Sequence, residues 1–141
     1  MRAITFVLAV LGLSACAAMG PPPPEPLVLG PFVGTLPCAD CPGIVTTLTL
    51  ARKDVGWAEG TYRLEQTYID RGPPVVSTGD WTTLRGDAVD EDAVVYQLNP
   101  DGPKSTWAFK KVDEATVRLL DGDMKEIPSS VPATLHLRKD P

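Results

Sequence analysis

Imidazole and thiol groups are scarce in this chain of 141 residues: histidine occurs once, at His136, and cysteine three times, at Cys16, Cys38 and Cys41. A tetrahedral zinc site needs four ligands, so any cysteine pair here would lack two partners. Cationic excess is also missing, because 13 Lys and Arg face 18 Asp and Glu for a net charge of −5. Nucleic-acid binding calls for a basic stripe, and that class of partner is excluded. The longest apolar run, residues 4–13, is too short to cross a bilayer, which takes ~20 apolar residues. No window holds helical periodicity for more than a few residues, which argues against helical and α/β folds. No Ser-His-Asp arrangement, phosphate-cradling glycine loop or pair of catalytic carboxylates stands out, so the sequence gives no support for an enzyme.

The N-terminus carries an export signal. Arg2 supplies the positive start, residues 4–13 the apolar segment, and Leu13-Ser14-Ala15-Cys16 looks like a bacterial lipobox. On this reading residues 1–15 are a lipoprotein signal peptide and Cys16 is the lipidated residue. Several acyl chains anchor a protein stably, whereas one binds only marginally. Ala17 stands where an aspartate would signal retention at the inner membrane, which points to the outer membrane, with the protein facing the periplasm. Residues 16–29 then form the lipid anchor and a proline-rich stalk. Pro21, Pro22, Pro23, Pro24 and Pro26 favour a semi-rigid polyproline II segment of ~3.1 Å per residue.

The folded domain is expected over residues 30–141. Fifteen prolines and twelve glycines predict frequent turns. Between them lie short alternating segments at 32–36, 44–51, 60–69, 75–84, 93–98, 105–112, 115–120 and 133–138. Val94, Tyr96 and Leu98 are expected on one face, as are Trp107 and Phe109 with Lys110 opposite. The class is all-β: a small antiparallel barrel or half-barrel of about eight short strands in meander order.

The sequence Thr35-Leu36-Pro37-Cys38-Ala39-Asp40-Cys41-Pro42-Gly43-Ile44 concentrates the sulfur chemistry. With Cys16 lipidated, Cys38 and Cys41 remain, in an oxidising compartment. A catalytic Cys-x-x-Cys opens a helix whose N-terminus lowers the thiol pKa. Here a β-branched strand follows, and Asp40 disfavours a neighbouring thiolate. Two thiolates could hold Cu(I), a soft ion of low coordination number. His136, on the polar face of the last segment, has no reason to join them, and Met19 and Met124 lie in the stalk and in a distant turn. The favoured reading is a structural disulfide of ~2 kcal/mol by chain entropy, with redox-responsive and copper-binding roles as alternatives.

Trp81, Trp107, Tyr62, Tyr96 and Phe109 could line a ligand cavity, although a small eight-stranded barrel usually fills its interior with side chains. Asp87, Asp90, Glu91 and Asp92 form an acidic run expected to be a solvated hairpin.

The lipobox, the cysteine loop from Gly34 to Ile44 and the following Thr-Leu-Thr-Leu strand resemble the N-terminal domain of NlpE. So do Thr61-Tyr62-Arg63-Leu64, Gly79-Asp80-Trp81 and Leu119-Leu120-Asp121-Gly122 followed by Ile127. The resemblance covers residues 32–138 and implies an outer-membrane lipoprotein with a lipocalin-like barrel, associated with copper resistance and envelope-stress sensing. Longer members carry a second, C-terminal domain with its own cysteine pair; this chain is expected to lack it and any signalling that needs it. The combined expectation is a non-enzymatic protein without a dedicated cofactor, held at the membrane by its lipid and presenting a surface to a periplasmic protein. Alternatives are a carrier of a small hydrophobic ligand, and copper handling through Cys38 and Cys41.

Overall fold

Eight strands follow one another without a helix among the residues that a computed structural model describes, 20, 27–102 and 107–139. Residues 1–15, read above as a signal peptide, Cys16 and the prolines at 21–26 lie outside them. The strands are β1 (Val28–Leu36), β2 (Ile44–Arg52), β3 (Glu59–Tyr68), β4 (Val75–Arg85), β5 (Val94–Leu98), β6 (Ala108–Asp113), β7 (Thr116–Leu119) and β8 (Thr134–Leu137). Each pairs antiparallel with its neighbour in sequence, and β1 meets β8 through Phe32↔Leu137 and Val33↔His136, closing the barrel. The all-β meander is thus as the alternation indicates, in its fully closed form.

Alternation decides which side chains go inside. Ile44, Thr46, Leu48 and Leu50 of β2 are buried while Val45 is exposed. Tyr62, Leu64 and Gln66 do the same on β3. The axis is filled by Trp81, Phe109, Leu36, Leu48, Leu64, Leu98 and Leu135, each at most 1% exposed. Trp81 and Tyr96 meet edge to face at 5.5 Å, and Trp107 stacks on Phe109 at 6.3 Å. Trp81, Tyr96 and Phe109 belong to the main core, and Trp107 packs against it.

β1 begins at Val28, ahead of the alternation legible from Phe32. Its pairing with β2 slips between Leu29 and Phe32, where Pro31 has no N–H to give the ladder. That slip hides the first residues of the strand from a period-two reading.

Two expectations are corrected on the side of β5. Tyr96 and Leu98 face the core, but Val94 is 38% exposed at the rim. Its neighbour Val95 is fully buried on the outer face instead, in a satellite cluster with Ala93, Ala108 and Leu120, against which Leu84 and Met124 pack. The chain after β7 folds over that face, and Met124 O accepts from the Ala88 N–H at 2.9 Å.

Asp87 is the second correction. Asp90, Glu91 and Asp92 are exposed as a solvated hairpin should be, but the Asp87 side chain is only 2% exposed. Its Oδ1 accepts from the Val89 and Asp90 N–H groups at 2.8 and 2.7 Å, and Oδ2 lies 2.8 Å from Lys110 Nζ. Lys110 also pairs with Glu126 at 2.8 Å, tying both loops over the satellite cluster. The Lys110 ammonium, then the two N–H groups, lower the Asp87 pKa to about 2. A carboxyl depressed below its ordinary 3.8 adds stability that is fully present above that value and lost as pH falls through about 2. In chemical denaturation, the gap between the native chain and Asp87→Asn is expected to be constant above about pH 5 and to close toward pH 2. A gap unchanged across that acid range contradicts the assignment.

The barrel has two ends, and β1 joins them. At one, Leu27 enters beside the β2–β3 hairpin, its carbonyl accepting from the Arg52 N–H at 2.9 Å. At the other, Leu36 leads into the cysteine loop, beside the β3–β4 turn, where the Ile69 N–H donates to Gly43 O at 3.0 Å.

Candidate functional site

The cysteine loop is pinned on both sides before sulfur is considered. Leu36 and Ile44, its flanking residues, are 0% and 5% exposed and face each other across β1 and β2. Gly43 packs so closely that a Cβ there would lie 2.6 Å from Thr35 Cγ2. Residues 37–43 must therefore turn the chain back within a short span, and Pro37 and Pro42 fix φ in doing so.

Within that turn Cys38 and Cys41 are joined, with S–S 2.04 Å and Cα–Cα 5.3 Å. Both half-buried cysteines pack against the main core. The bridge is thus the outer layer of the barrel's packing at this end.

Asp40 points outward. Its Oδ1 lies 3.6 Å from Cys38 Sγ and its Oδ2 3.1 Å from Arg71 Nη1. Arg71 Nη2 also donates to the Asp40 carbonyl at 2.6 Å, so one guanidinium holds both side chain and backbone of the loop. Arg71 comes from the β3–β4 turn, where it reads as part of a polar break. Sequence reasoning missed this clasp because its partners are 31 residues apart and only strand register brings them together.

The arrangement limits the chemistry. The loop runs directly into β2, so no helix N-terminus is available to stabilise a thiolate, and the charge beside Cys38 Sγ is the Asp40 carboxylate, itself paired with Arg71. For a metal, the Cys38, Asp40 and Cys41 donor atoms all lie within 4.8 Å of one another. Joined to each other, the sulfurs are not thiolates; reduced, they would offer two soft donors, a set that suits Cu(I) and falls short of tetrahedral zinc. His136 is exposed on β8, opposite Val33 and Thr116, and Met124 packs on the satellite cluster, so neither joins this group.

Clefts occur on the outside of the barrel. One of about 450 Å³ lies over β2, β3 and β4, lined by Thr49, Thr61, Arg63, Thr78 and Asp80. Another of about 520 Å³ adjoins it over Gly60, beside Lys53, Glu59 and Asp101. Ala51 and Tyr62 add apolar surface to the first cleft, and Ala51 and Trp81 to the second, beside the threonines and charged groups.

Comparison with known proteins places the chain in a family. A family model described as the NlpE N-terminal domain matches residues 32–130. The 17 kDa lipoprotein of Treponema pallidum (strain Nichols) is 29% identical over 113 residues, covering 78% of this chain and 68% of that protein. No solved structure matches the chain.

Proposed function

This chain belongs to the NlpE N-terminal domain family, and from that premise we propose that it is a non-enzymatic lipoprotein of the outer membrane, acylated at Cys16, that displays its cysteine loop to the periplasm. One observation carries the reading: β1 runs from the entry of the chain beside Arg52 straight to the cysteine loop. At ~3.3 Å per residue that strand spans about 30 Å. A domain tethered through the residues before Leu27 therefore holds the Cys38–Cys41 bridge and the Arg71 clasp at the end away from the tether. The lipobox at residues 13–16 and the lipoprotein relative support the tether.

The role assigned to this display is envelope-stress sensing or copper tolerance, exercised by contact with a periplasmic protein. Fractionation tests the placement. The native chain is expected in outer-membrane fractions and Cys16→Ser in soluble ones; equal distribution of the two contradicts it.

Copper handling is favoured specifically by the grouping of Cys38, Asp40 and Cys41. The reduced chain is expected to bind Cu(I) at least about 100-fold more tightly than a Cys38→Ser, Cys41→Ser variant, as loss of both soft donors implies. The bridged chain should match the variant. Equal Cu(I) affinity in all three removes copper from the account.

A further inference from the structure

β4 is longer than its partner β5. It pairs with β3 from Gln66↔Val75 down to Glu59↔Thr82, but with β5 only from Trp81↔Leu98 to Arg85↔Val94. Among the described residues, the stretch 75–79 therefore pairs on one edge alone. The direction of its backbone groups follows from the last bond before β5: Asp80 O accepts from the Asn99 N–H at 2.7 Å, on the β5 side. Backbone groups alternate every second residue, so the N–H and C=O of Thr78 and Val76 also point to that side.

Natural sheets cover, charge or shorten such edges. This one carries Val75 and Val76, 53% and 47% exposed, and is bounded upstream by Pro73 and Pro74. Beside it, Asp70, Asp80 and Asp101 form no ion pair among the described residues. Of the cations beside it, Arg63, the cross-strand partner of Thr78, pairs with Glu65, and Arg71 pairs with Asp40.

We infer that the free edge of β4 at Val76 and Thr78 is a docking site for an extended, basic segment of a partner protein, which adds as a strand beside the cysteine loop. An extended backbone is the ligand whose donors and acceptors match a bare edge. Alternate β-branched residues would cover Val76, and lysine or arginine would meet Asp80 and Asp101. A second copy fits poorly, because it brings the same carboxylates and a net charge of −5 to the seam. The inference rests on the proposed role as a partner-presenting domain and names where that partner binds.

The test uses the full chain, isotope-labelled in detergent micelles, and a capped hexapeptide of alternating lysine and valine. In the free chain the Val76 and Thr78 amides are expected to exchange at least about tenfold faster than those of Ser77 and Gly79, which point to β3. Saturating peptide should slow them about tenfold or more and leave other strands unchanged. Thr78→Pro removes an N–H from the free edge only, and Val76→Lys charges it; either should abolish the protection while keeping the thermal midpoint. The inference is overturned by amides already protected in the free chain, by unchanged exchange with peptide, or by equal protection in both variants. Equal binding of an alternating glutamate-valine peptide, or concentration-dependent self-association through this edge, overturns it as well. A chain that fractionates with the outer membrane yet fails these tests refutes the docking site alone.

Discussion

Trp81→Ala is expected to destabilise the domain by about 3–5 kcal/mol, the range for emptying a fully packed indole site. Trp81 is 1% exposed, packs edge to face on Tyr96, and its Nε1–H donates to Ala51 O at 3.2 Å. Truncation removes the largest side chain on the axis and leaves that carbonyl without its indole donor. In a domain of this size the thermal midpoint should fall by roughly 10–20 °C. Trp57 provides the comparison: it is 46% exposed, with Lys53 Nζ 4.9 Å from its ring centroid. Trp57→Ala should stay within about 1 kcal/mol. Thermal unfolding followed by circular dichroism checks both, and equal midpoints for the two variants would contradict the account of the core.

Gly60→Ala is expected to be almost as damaging, through one added methyl group. A Cβ at Gly60 would lie 1.9 Å from Ala51 O and 3.0 Å from Arg52 Cα, both backbone atoms of the paired strand. No rotamer relieves such a clash, so β2 and β3 must separate beside Trp81, which pairs with Gly60 on the other side. The cost should reach about 3 kcal/mol, the upper part of the range for overpacking. Gly122→Ala, which meets nothing within 4 Å, should change stability by less than about 0.5 kcal/mol. A Gly60→Ala variant as stable as Gly122→Ala would mean that β2 and β3 do not approach as described.

What the sequence reveals depends on distance along the chain. Local alternation exposes β2 and β3 because their inward residues, Ile44 to Leu50 and Tyr62 to Leu64, recur every second position. Closure is less direct: nothing near Phe32 or Val33 names Leu137 and His136 as partners, and only the end-to-end meander requires it. Alternation fails where a second layer covers the outside of the sheet. Val95 reads as an outward residue and is fully buried, because Leu120 and Met124 come over it from another loop. Asp87 reads as one of several solvated acids for the same reason, since Lys110 reaches it from β6 and is itself held by Glu126 from beyond β7.

The cysteine loop divides along the same line. Two cysteines three positions apart, bracketed by prolines and followed by a strand, indicate a staple from local chemistry alone, and the sulfurs are joined. The Arg71 clasp and the edge of β4 that is unpaired among the described residues are products of register and strand length, which no local pattern records. Cys16, on which the tether depends, lies outside the described residues, so its role rests on the lipobox and the lipoprotein relative.

The mass of the mature chain, extracted from outer membranes into denaturant with an alkylating agent and no reductant, tests the account most directly. The account requires an N-terminus at Cys16 carrying acyl mass, with Cys38 and Cys41 both unalkylated because they are bridged. A chain that retains residues 1–15, lacks acyl mass, or is alkylated at Cys38 and Cys41 contradicts it.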